Sequence, residues 1–129
     1  PLYVHRNQRT LAEVCRDMLY SSNNFVANQV FLAIGAQAFG PPATLEKSLR
    51  VAEQFLARHP GLRGLHVVEG SGIAYENRAT AAAMAELLRL MEPHQELMRR
   101  ERGTRHKTGT LRAVATVAGF LDTARHGLV

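Results

Sequence analysis

Tryptophan is absent, cysteine occurs once, and aromatic residues make up only 6% of these 129 residues. Each shortage closes a route. A single cysteine excludes an internal disulfide. Cys15 lies with Leu11, Val14, Met18 and Leu19 at helical spacing, the setting of a packed thiol rather than a nucleophile. No apolar run approaches the roughly 18 residues that a membrane span needs. No basic start with an apolar core, the pattern of a secretory leader, opens the chain. The six histidines contain no His-Glu-x-x-His and no pair at ligand spacing, so neither a metal nor another cofactor is expected.

What is present describes a globular α+β chain. Apolar residues account for 46% and charged residues for 21%, enough to bury a core within one compact domain. The formal net charge is +5. The basic residues are scattered, apart from Arg99-Arg100-Glu101-Arg102 with Arg105, His106 and Lys107 just beyond. No aromatic residues interleave with them to stack on bases, so a solvated basic face is expected and a nucleic-acid partner is not.

Helices come first. Thr10-Leu11-Ala12-Glu13 matches a capping box, and the apolar stripe behind it predicts a helix over 10–20. Ser21 to Asn24 interrupts with turn-forming residues. A nearly apolar helix over 25–39 follows, of the kind usually buried between layers. Gly40-Pro41-Pro42 stops it, and Thr44 caps an amphipathic helix to about Arg58. A short strand over 65–68 leads into the loop Glu69-Gly70-Ser71-Gly72. An Ala-rich helix runs from Thr80 through Met91, with a further helical turn from Pro93 to about Arg102. From His106 the residues favour β structure, and two strands around 111–113 are expected as an antiparallel hairpin.

The chemistry concentrates in Lys107-Thr108-Gly109-Thr110. An ammonium, a hydroxyl and a glycine beside a strand-like segment suit the grip of a small carboxylate. Alone, such a triplet is common. Taken in order with Ser22-Asn23-Asn24-Phe25, with Glu69-Gly70-Ser71-Gly72-Ile73 and Glu76-Asn77-Arg78, and with Ala118-Gly119-Phe120, it resembles the class C low-molecular-mass penicillin-binding proteins. These are D-alanyl-D-alanine carboxypeptidases and endopeptidases of the bacterial envelope. The resemblance runs from about Leu11 to Phe120.

Penicillin-recognising serine enzymes use Ser-x-x-Lys, Ser-x-Asn and Lys-Thr-Gly. The resemblance implies that Ser22 and Asn24 form the second element, with Ser22 relaying a proton and Asn24 holding a substrate carbonyl. It implies that Lys107 and Thr108 bind the terminal carboxylate of D-alanine or of a β-lactam. Gly109 would keep the strand edge open, and the Thr110 N–H would line the oxyanion hole. Locally, Ser22 and Asn24 could equally be caps of the helix after them.

The first element is missing. Ser21, Ser22, Ser48 and Ser71 are followed three residues later by Asn24, Phe25, Val51 and Ala74, so this chain holds no nucleophile. Thr44-Leu45-Glu46-Lys47 imitates the spacing but is expected to be a helix cap. Asn28 stands where many relatives carry an acid, and the connection from Met91 to Lys107 is short for the family.

A C-terminal fragment of the penicillin-binding/β-lactamase-like transpeptidase fold is therefore expected over residues 1–129. The Ser-x-x-Lys and the last strands would lie outside it; Pro1-Leu2-Tyr3-Val4 looks like a cut. The resemblance implies peptidoglycan stem peptides and β-lactams as partners, a periplasmic or envelope location, and an inactive fragment prone to self-association. The alternative is a non-catalytic module that binds peptidoglycan peptides.

Overall fold

The computed structural model describes residues 6–125 and 127–129; Pro1 to Val4 lie outside them. Helix α1 (Leu11–Ser21) begins with the expected capping box: Thr10 Oγ1 accepts from the Glu13 N–H, and the Glu13 carboxylate accepts from the Thr10 N–H at 2.7 Å. Helix α2 (Asn24–Phe39) packs along α3 (Leu45–Arg58), with Gly35 and Ser48 buried at their contact. Thr44 caps α3, and Lys47 Nζ donates to the carbonyls of Gly40 and Pro42 at 2.8 and 2.9 Å. The Thr44–Lys47 pair thus closes the α2–α3 turn.

A 3-10 turn (Pro60–Leu62) leads to β1 (Leu65–His66), which pairs antiparallel with β2 (Arg78–Ala79). These short strands close the base of the glycine-containing loop. Helix α4 (Ala81–Met91), capped by Thr80, packs on the 3-10 turn and on the later sheet. Leu62 and Ala83 anchor this contact.

The predicted helical turn to Arg102 stops early. A 3-10 segment (Glu92–Leu97) gives way to β3 (Arg99–Glu101), which turns back into β4 (Thr104–Leu111). Arg102 and Gly103 both have positive φ, 48° and 80°. Two-residue hairpin turns need that geometry to match strand twist, and glycine adopts it freely. Strand β5 (Val114–Thr123) completes the expected hairpin after Arg112-Ala113, and β6 (Gly127–Leu128) adds a fourth strand in the order β3-β4-β5-β6.

The expected burial of α2 is not seen. Phe25 is 73% exposed and Ile34 43%, and Gly35 is its one fully buried residue. The excess is general: the accessible surface is 9599 Å². A compact monomer of 14.3 kDa would show about 6,800 Å², so this fold leaves roughly 40% more surface uncovered. Among the described residues, no helix is long and apolar enough to cross a membrane.

Candidate functional site

The corner between α1 and α2 is built from Ser22, Asn23 and Asn24, and each does something different. Ser22 ends α1 in the left-handed region (φ 53°, ψ 44°), an uncommon place for a residue with a side chain. Asn23 is the cap of α2, its Oδ1 accepting from the Val26 N–H at 3.0 Å. Neither Ser22 nor Asn24 caps that helix. The Ser22 hydroxyl is free to face the sheet, and the Asn24 amide has no hydrogen-bond partner among the described residues.

Facing this corner is β4. Its pairing with β5 runs from Thr104↔Leu121 to Leu111↔Val114, so one edge is fully covered. The other edge is not. Strand β3 pairs only with Thr104, Arg105 and His106. From Lys107 to Leu111 that edge has no strand partner among the described residues, and it borders the cleft. Lys107 Nζ donates to Ser22 Oγ at 2.5 Å and to the Thr108 carbonyl at 2.6 Å. Residues 85 positions apart in the chain are therefore joined at the start of the open edge.

The third wall is the loop from Glu69 to Asn77. The Glu69 carboxylate accepts from the Ser71 N–H (2.7 Å) and hydroxyl (2.5 Å), the Gly72 N–H (2.6 Å) and the Asn77 side-chain amide (2.6 Å). Asn77 Oδ1 accepts in turn from the Val68 N–H at 2.8 Å, and Asn28 Oδ1 from the Gly70 N–H at 2.9 Å. The amide oxygen of Asn28 thus ties the loop to α2, a task that needs an acceptor but no charge.

Partial burial works to raise the Glu69 pKa, and the donors from Ser71, Ala74 and Asn77 outweigh it, bringing it to about 2. A pKa depressed by folding stabilises the folded loop above the unfolded value of 4.5, and that contribution is lost as pH falls towards 2. The amide resonances of Ser71 and Gly72 are expected to lose their native positions across this window. Glu69→Gln should abolish that titration; a loop that titrates identically in the variant would contradict the assignment.

These three walls enclose a cleft of about 760 Å³. Ser22, Asn24, Lys107, Thr108, Gly109 and Thr110 all line it, so all six residues singled out in the sequence meet at one place. Thr44 and Lys47 do not line it. Its apolar lining includes Met18, Met84, Met91 and Met98, all four methionines of the chain. Sequence reasoning missed Glu69 as the organiser of the loop. The signal was an acid directly ahead of Gly-Ser-Gly, with Asn77 eight residues on. Among the described residues, no group of three His, Cys, Asp or Glu side chains is placed to hold a metal.

A family model described as the D-Ala-D-Ala carboxypeptidase 3 (S13) family matches residues 2–100. That span includes Ser22, Asn24 and the Glu69 loop and stops short of Lys107. Two crystal structures of penicillin binding protein 4 from Haemophilus influenzae share the fold over 90% of this chain. The one complexed with a novel β-lactam has a TM-score of 0.77, 21% identity, and covers 90% of this chain and 33% of that one. The other has a TM-score of 0.78 and 21% identity, and covers 90% of this chain and 31% of that one. This chain spans about a third of the length of these structures.

Proposed function

Because this chain belongs to the D-Ala-D-Ala carboxypeptidase 3 (S13) family, we propose that it is the substrate-binding part of a penicillin-binding serine peptidase. The parent acts on peptidoglycan stem peptides ending in D-Ala-D-Ala, in the bacterial periplasm or envelope. The observation that carries this reading is the Lys107–Ser22 contact at the open edge of β4, beside Asn24.

A serine from outside these 129 residues attacks the D-Ala-D-Ala carbonyl, with its neighbouring lysine accepting the proton. The Asn24 amide, without a hydrogen-bond partner among the described residues, holds a substrate carbonyl. The Lys107 ammonium and Thr108 hydroxyl bind the terminal carboxylate. The Thr110 N–H stabilises the developing oxyanion, where a pre-placed donor acts without reorganisation. Ser22, already hydrogen-bonded to Lys107, passes a proton to the departing amine. The acyl-enzyme is then hydrolysed by water. The methionine-rich lining of the cleft supports docking of the nucleophile-bearing segment there, since methionine packs adaptably against an incoming surface.

The chain by itself lacks the covalent route. It also exposes apolar surface on α2, and we propose that this surface drives self-association. Light scattering at high concentration is expected to show a species larger than a monomer; a monomer there would contradict it.

The missing Ser-x-x-Lys favours one competing reading, a module that binds stem peptides without cleaving them. The coding sequence ahead of Pro1 separates the two. Ser-x-x-Lys in that sequence supports the peptidase, and its absence supports the binder.

A further inference from the structure

The open edge of β4 has a fixed end. Strand β3 lies on the same side of β4 as the cleft edge, and its first residue, Arg99, stands opposite His106. The last unpaired position is Lys107. An extended peptide adding to this edge antiparallel to β4 would lie in line with β3 and run in the same direction. Its C-terminus would point at Arg99. A peptide adding in the opposite sense would bring its N-terminal ammonium against Lys107 and Arg99, which disfavours it.

At that end a hollow of about 110 Å³ shares Leu19, Ser22, Lys107 and Thr108 with the cleft. Tyr20, Arg99, Glu101 and His106 close it. The Arg99 guanidinium lies 5.1 Å from the centre of the Tyr20 ring, and its Nε is 3.6 Å from the Glu101 carboxylate. Those contacts hold Arg99 over the hollow. With Lys107 they leave the hollow one positive charge in excess of Glu101, which favours an anion.

We propose that Arg99, where β3 closes the open edge, joins Lys107 in binding the free C-terminal carboxylate of the peptide, so that the site selects chain ends over chains that continue. A residue beyond the terminal one would meet the backbone of Met98 and Arg99. The parent would thus act as a carboxypeptidase in preference to an endopeptidase. This assignment rests on the stem-peptide reading above, and it adds Arg99 as a specificity-determining residue to the Lys107–Thr108 grip.

The test is an NMR titration of this chain with an acetylated peptide ending in D-Ala-D-Ala, and with the same peptide as its C-terminal amide. The wild-type chain is expected to bind the acid about tenfold more tightly, the size of one charge-assisted hydrogen bond. Arg99→Gln should remove most of that preference while leaving amide binding within about twofold, and Arg99→Lys should restore part of it. Arg100→Gln, on the other face of the same strand, should leave the preference unchanged, which separates local contact from general charge. An acid preference that survives Arg99→Gln overturns the role of Arg99 and leaves the stem-peptide reading standing. Equal binding of acid and amide by the wild-type chain overturns the role of Arg99 and the Lys107–Thr108 carboxylate grip with it. Failure of both peptides to bind overturns the stem-peptide reading and this assignment with it.

Discussion

Lys107→Ala is expected to slow acylation of the nucleophile-bearing parent by a labelled penicillin about 10³-fold, within the range for losing a positioned proton-transfer or electrostatic group. The expectation follows from what Lys107 joins. Its ammonium reaches Ser22 at 2.5 Å and the Thr108 carbonyl at 2.6 Å, so one substitution removes the charge at the proposed carboxylate position and uncouples Ser22, the proposed relay. Lys107→Arg should not rescue it, because a planar guanidinium is too broad for the gap between Ser22 and Thr108. The fold should survive Lys107→Ala, since the side chain is only half-buried and takes no part in the core. An acylation loss smaller than about tenfold would place Lys107 outside the chemistry.

Gly119→Val should have the largest effect on folding. Gly119 pairs with His106, and a Cβ built on it would lie 2.1 Å from the Arg105 carbonyl oxygen and 2.5 Å from the His106 Cα. Both obstacles are backbone atoms, which cannot rotate away. Strands β4 and β5 must separate beside Lys107 or fail to pair, at a cost of about 3 kcal/mol or more by analogy with overpacked cores. Denaturant unfolding should show that loss, and the cross-strand contacts from Thr104 to Leu111 should weaken together. A variant as stable as the wild type would mean that this hairpin is not packed as described.

The chemistry of the site was more legible in the sequence than the sheet around it. Lys107-Thr108-Gly109 and Ser22-x-Asn24 carry residue types whose function depends on identity, so motif order alone pointed to one site. Strand β3 was hidden because Arg99-Arg100-Glu101 has no β-branched residue and follows a proline-led helical segment. Its pairing depends on the Arg102-Gly103 turn, whose meaning emerges only once Thr104 is known to be a strand. The family comparison adds to this from the other side, because its match ends at residue 100 and leaves the Lys107 segment to motif and geometry. Helix α2 shows a different limit. Its composition predicts burial, yet burial requires a partner surface, and nothing among the described residues covers Phe25 or Ile34. Glu69 escaped notice because its importance lies in several donors converging from its own loop, an arrangement no spacing rule encodes.

Labelled penicillin, applied in parallel to this chain and to a longer protein that includes sequence ahead of it, decides whether the nucleophile comes from outside these residues. On the proposed reading this chain carries two of the three catalytic elements, and the nucleophile comes from outside it. A covalently labelled band is expected for the longer protein and none for the chain alone. A labelled chain would contradict that reading, and so would a longer protein that stays unlabelled.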